Sequence, residues 1–130
     1  MATIRDGTVS VLLVVDAQNG ALAGGHEREQ VIANIGTVIA KAREKNVPIV
    51  WIQHQDDDLP AGSEAWQMAG GLRIGNGEYR VDKRFNSSFE DTELDGILER
   101  LGATELVIAG AATNWCVRAT AYGALDRGYD

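Results

Sequence analysis

The chain has 130 residues, 45% hydrophobic and 24% charged, the size and balance of one globular domain, residues 1–130, with a single core. A formal charge of -7 and a pI near 4.7 give an acidic surface that disfavours nucleic acid and anionic membranes as partners. One cysteine excludes an intramolecular disulfide framework, and the N-terminus lacks the basic and apolar regions of a signal peptide, so the expected location is the cytoplasm.

Val9 to Val15 is a nearly continuous β-branched run ending at Asp16, which predicts a strand buried on both faces of a parallel sheet. It is far too short to cross a bilayer. Gly20, Gly24 and Gly25 predict a loop. From Glu29 to Lys45, Val31, Ile35, Val38 and Ala42 recur at helical spacing, and Asn46-Val47-Pro48 closes that helix. Ile49 to Ile52 is the next strand, so the chain opens with a βαβ unit of parallel strands.

The stretch from Gln53 to Asp82 is polar and glycine-rich, with no assignable element; a connection of that length is usually functional. Arg84 to Phe89, with Lys83 before it, reads as a loop folding back over the sheet rim. Thr92 and Asp95 have capping-box spacing ahead of the stripe Leu94, Ile97, Leu98 and Leu101, and Gly102 is a natural stop. Leu106 to Ala109 forms the following strand. Gly110 begins a tight turn, and Thr113 or Asn114 is placed to cap a last helix running to about Arg127. Gly128-Tyr129-Asp130 resembles the entry to a further strand. The expectation is therefore a domain lacking its final strand and helix, with the Leu106–Ala109 strand unpaired on one side or paired with another chain.

In an open parallel sheet, ligands bind beyond the carboxyl ends of the strands. Asp16, His54 and the Gly110–Cys116 turn all lie on that rim. Asp16 follows five apolar residues, and partial desolvation raises a carboxyl toward a usable base. Cys116 falls in the first turn of the last helix, where unpaired N–H groups favour a thiolate and can hold an oxyanion. The plainer alternative for Cys116 is a small buried hydrophobe, and for Asp16 a polar strand end.

These residues also resemble a family. Val14-Val15-Asp16-Ala17-Gln18-Asn19 is similar to the aspartate motif of isochorismatase-like cysteine hydrolases, Lys83 through Phe89 to their lysine motif, and Ala109 through Ala121 to their cysteine motif. The resemblance implies a three-layer α/β/α sandwich with a mostly parallel sheet. It implies Asp16, Lys83 and Cys116 as catalytic residues, a cis peptide between Ala111 and Ala112, and an oxyanion hole from the backbone N–H groups of Ala112 and Cys116. It further implies attack of a Cys116 thiolate on a small amide or carbamoyl carbonyl, with Lys83 favouring the thiolate and Asp16 carrying protons.

Gln18 and Asn19 are candidates to orient Asp16 and substrate. Trp66, Phe85 and Trp115 are candidates to line an apolar pocket, with His54 and Asn86 as polar contacts; core packing is the alternative for each aromatic. Nicotinamidases of this superfamily carry Asp-x-His after the second strand, where this chain has His54-Gln55-Asp56. With only His26 and His54 available, no metal or other cofactor is expected. The expected partners are a small-molecule substrate and further copies of the chain in a homo-oligomer. Two rival readings stand beside the amidase: cleavage of a vinyl ether, as in isochorismatase proper, and a non-catalytic oligomeric binding or scaffold protein.

Overall fold

The computed structural model describes residue 5 and residues 7–23 and 27–130. Strand β1 (Ser10–Val15) is the central feature. Its five residues from Val11 are at most 1% exposed, because successive side chains point to opposite faces and both faces are covered. Val11, Leu13 and Val15 enter one core, Leu12 and Val14 the other.

A single helical turn, α1 (Asn19–Leu22), takes up Gly20, which the sequence had suggested for a loop; Gly24 and Gly25 lie outside the described residues. Helix α2 (Arg28–Glu44) lays Ile35, Ile39 and Ala42 on Leu12, Val14, Ile49 and Trp51. Strand β2 (Ile49–His54) returns beside β1 in parallel register, with Val14 opposite Trp51.

A strand that the sequence did not disclose follows. β3 (Tyr79–Lys83) pairs in parallel with β2, and Lys83 sits opposite His54. Only Val81 and Lys83 of β3 are buried, so this edge strand lacks the apolar run that marks its neighbours. Lys83 is therefore the end of a strand, immediately before the Arg84–Phe89 segment, and 1% exposed.

Helix α3 (Leu94–Leu101) begins without the expected capping box. Thr92 Oγ1 instead accepts from the Leu94 N–H at 3.3 Å and donates to the Ser88 carbonyl at 2.6 Å. The helix ends at Gly102 in the left-handed conformation. Strand β4 (Glu105–Gly110) pairs with β1, and one π-helical turn (Thr113–Val117) leads into α4 (Arg118–Asp126). The expected capped α-helical start is thus replaced by a wider turn. Helices α3 and α4 cover the face bearing Val11, Leu13 and Val15, opposite α2, which makes three layers.

The sheet is all parallel in the order β3-β2-β1-β4, so the chain direction across it reverses between β1 and β4. Gly110 closes that junction. Its φ is +134°, and a Cβ there would lie 1.8 Å from the Val15 carbonyl oxygen, so the two strand ends can touch only through glycine. β4 is the last strand of the sheet, and on its outer side Asp130 donates to the Thr104 carbonyl at 3.1 Å and accepts from the Leu106 N–H at 2.8 Å. Those two bonds have the pattern of a parallel ladder.

Candidate active site

The strand reversal gathers four side chains on the carboxyl rim. Asp16 follows β1 with φ +51°, a left-handed conformation that costs a non-glycine residue about 1 kcal/mol and clusters at functional positions. His54 ends β2 and Lys83 ends β3, so their pairing in the ladder places them side by side. Cys116 lies in the π turn beyond β4.

Lys83 is the hub. Its ammonium lies 3.3 Å from Asp16 Oδ2, 3.2 Å from Cys116 Sγ, 2.9 Å from His54 Nδ1 and 2.9 Å from the Phe85 carbonyl oxygen. A buried ammonium is tolerated only when its protons are taken up in this way. Asp16 is unevenly satisfied: Oδ2 meets Lys83, whereas Oδ1 is buried without a hydrogen-bond partner. Asp16, His54 and Cys116 offer donor atoms within 4.8 Å of one another, a set a soft metal could use. Lys83 contacts all three, so a metal ion there would have to displace a resident cation.

Burial pushes the Asp16 carboxyl above the usual carboxylate range, against the opposing pull of Lys83. Burial and the facing Asp16 carboxylate push the Cys116 thiol up to about 11, and Lys83 offsets them only in part. This upward shift opposes the pull toward the thiolate expected of a helix start and a nearby cation. The half-buried sulfur lies between the Asp16 carboxyl and the Lys83 ammonium.

The expected substrate contacts divide. Gln18 is fully buried and its amide is committed: Nε2 donates to the His54 and Trp66 carbonyls at 3.0 and 2.9 Å, and Oε1 accepts from the His54 N–H at 2.9 Å. Gln18 is a staple between β1, β2 and the connection to β3. Asn19 donates to the Glu64 carbonyl and accepts from Arg28. Trp66 packs under Arg80, whose guanidinium lies 5.0 Å from the ring, and lines a cavity of about 410 Å³ with Gln53, Met68 and Leu72. Asn86 is exposed with Oδ1 3.9 Å from Cys116 Sγ, and Phe85 and Trp115 are 45% and 61% exposed nearby in sequence.

Asp56, two residues beyond His54, accepts from the His54 ring at 2.7 Å. The signal was the His-x-Asp spacing, since residues two apart in extended chain share a side. Ser88 and Thr120 were also passed over. Their buried hydroxyls lie 2.8 Å apart and tie the segment after Lys83 to the helix after Cys116. The peptide bond between Ala111 and Ala112 is cis.

The three-layer architecture and the strand reversal define an isochorismatase-like α/β protein. An N-carbamoylsarcosine amidase from Thermoplasma acidophilum superposes with a TM-score of 0.83 at 28% identity, over 94% of this chain and 79% of that one. The Isochorismatase domain family matches residues 10–130, and the chain belongs to that family. A secreted isochorismatase effector of Verticillium dahliae is 33% identical over 93% of this chain and 67% of its own length. A streptothricin hydrolase of Streptomyces noursei is 32% identical over 93% of this chain; the chain spans 46% of that relative's length. Among the described residues, no helix is long and apolar enough to cross a membrane.

Proposed function

We propose that the protein hydrolyses a C–N bond in a small amide or carbamoyl compound through an acyl intermediate on Cys116. The observation that carries this reading is the contact of one buried ammonium with both a thiol and a partly unsatisfied carboxyl. Relatives named streptothricin hydrolase and N-carbamoylsarcosine amidase support amide chemistry as the class.

Asp16 accepts the thiol proton as the sulfur attacks the carbonyl carbon, and Lys83 stabilises the charge left on sulfur. The backbone N–H groups of Ala112 and Cys116 receive the oxyanion. Asp16, whose raised pKa suits it to hold a proton, returns it to the departing nitrogen as the C–N bond breaks. Water then attacks the thioester, giving its proton to Asp16 and releasing the acid and the free thiol. Trp115, Phe85 and Asn86 lie on the open side and form the substrate's surroundings. Cleavage of a vinyl ether needs no thiol nucleophile, so Cys116 favours the amidase. A single free thiol suits a reducing cytoplasm, and the exposed Trp115, Tyr122 and Leu125 suit contact between copies of the chain.

Ammonia release from a panel of small amides, with intact mass spectrometry of protein quenched during turnover, tests the proposal. An acyl adduct on Cys116, and loss of turnover with a retained fold in Cys116→Ala, are expected. A Cys116→Ala protein with full amidase activity would refute it.

A further inference from the structure

An ammonium carries three protons and no lone pair. Because Lys83 can only donate, His54 Nδ1, 2.9 Å away, must be the bare nitrogen of the ring. The proton of the neutral ring is then on Nε2, where it donates to Asp56 Oδ2 at 2.7 Å. An imidazolium would instead set a second N–H and a like charge against the ammonium. Asp56 is itself fixed, since its Oδ1 accepts from the N–H groups of Asp58 and Leu59 at 2.9 Å each. A chain of bonds thus runs from the turn after β2, through Asp56 and His54, to the ammonium that touches Asp16 and Cys116.

We propose that Asp56 and His54 are positioning residues: Asp56 and Lys83 together hold His54 as its Nε2–H tautomer, and the bare Nδ1 in turn holds Lys83 against Asp16 and Cys116. The importance of that position rests on the reading of Cys116 as nucleophile; the hydrogen-bond chain itself does not. A solvated ion pair at a loop is the plainer account of a His-x-Asp sequence. It would leave the tautomer free and make the thiol indifferent to His54.

Two measurements on the full chain decide. His26→Gln leaves His54 as the only imidazole, and two-bond ¹H–¹⁵N correlation near pH 8, where a free imidazole is neutral, reads its tautomer. The Nε2–H form is expected, with Asp56→Ala shifting the ring toward a mixture. An Nδ1–H ring, or a tautomer unmoved by Asp56→Ala, would overturn the proposal.

The second measurement is the pH profile of Cys116 alkylation by iodoacetamide. The titratable groups facing the thiol are Asp16 after β1, His54 on β2 and Lys83 on β3. His54→Leu removes an acceptor that holds the ammonium beside the thiol. The profile is expected to move up by about half a pH unit, or about threefold slower alkylation at fixed pH. His54→Asn keeps an acceptor near the position of Nδ1 and is expected to restore the profile. Identical behaviour of the Leu and Asn variants, or a downward shift, would overturn the proposal. If His54→Leu does not fold, the Asp56→Ala tautomer decides alone. Neither readout uses turnover, so loss of the hydrolase reading would leave both outcomes intact.

Discussion

Two carboxylates, Glu78 and Asp16, each face a cation, and they differ in almost everything else. Glu78 lies just before β3, where both its oxygens are occupied: Arg43 from α2 bonds both at 2.8 and 2.9 Å, Trp51 Nε1 donates at 2.8 Å and the Gly75 N–H at 2.6 Å. Its pKa falls to about 2, with the Arg43 hydrogen bonds the largest cause. Asp16 has one oxygen on Lys83 and the other on nothing, and burial carries its pKa upward. A saturated carboxylate takes a proton only at low pH and serves the fold. A half-satisfied one takes it more readily and is suited to chemistry.

The comparison breaks most sharply by exchanging the two acids for amides. Asp16→Asn should lower kcat by about 10²–10⁴, the usual worth of a positioned proton carrier, with the fold retained by circular dichroism. Glu78→Gln should leave turnover within about threefold of the parent, since only remote structure changes. That same substitution turns an amide N–H toward Arg43 or Trp51 and should destabilise by about 1–3 kcal/mol, read as a lower midpoint in denaturant.

The pH dependence sharpens the contrast in sign. A carboxyl held at about 2 in the fold against 4.5 when free contributes stability above pH 4.5 and loses it as pH falls toward 2. Thermal midpoints over that window should therefore fall less steeply in Glu78→Gln than in the parent. Asp16 acts oppositely, because its raised pKa makes protonation favour the folded state as pH falls through that value. The smallest expected effect is that of metal removal. Exhaustive chelation should leave turnover unchanged, because the donors Asp16, His54 and Cys116 already share the Lys83 ammonium; loss of activity restored by a divalent ion would contradict this.

Legibility in the sequence followed burial. β1, β2 and α2 were readable because their apolar residues carry the period of the structure they form, as Val11 to Val15 do on two packed faces. β3 was not, because an edge strand with Tyr79, Arg80 and Asp82 exposed has only Val81 and Lys83 to signal an interior. Asp16 and Cys116 could be placed by strand ends and by motif. The meaning of Asp56 depends on His54 meeting Lys83, 29 residues away, through a strand pairing that no local pattern reveals. The raised thiol likewise depends first on burial and then on a carboxylate 100 positions distant in the chain, brought there by the reversal between β1 and β4.

The Gln18 staple has a consequence in time as well as space. Its two amide hydrogens are both bonded to carbonyls in a site closed to water, one on His54 and one on Trp66. Exchange with deuterated solvent requires β1, the end of β2 and the connection to β3 to separate at once. Its side-chain NH₂ signals should therefore persist long after those of exposed amides have vanished. By that clock, the segment around Trp66 belongs with the slowly opening interior of the molecule, although it contains neither a strand nor a long helix.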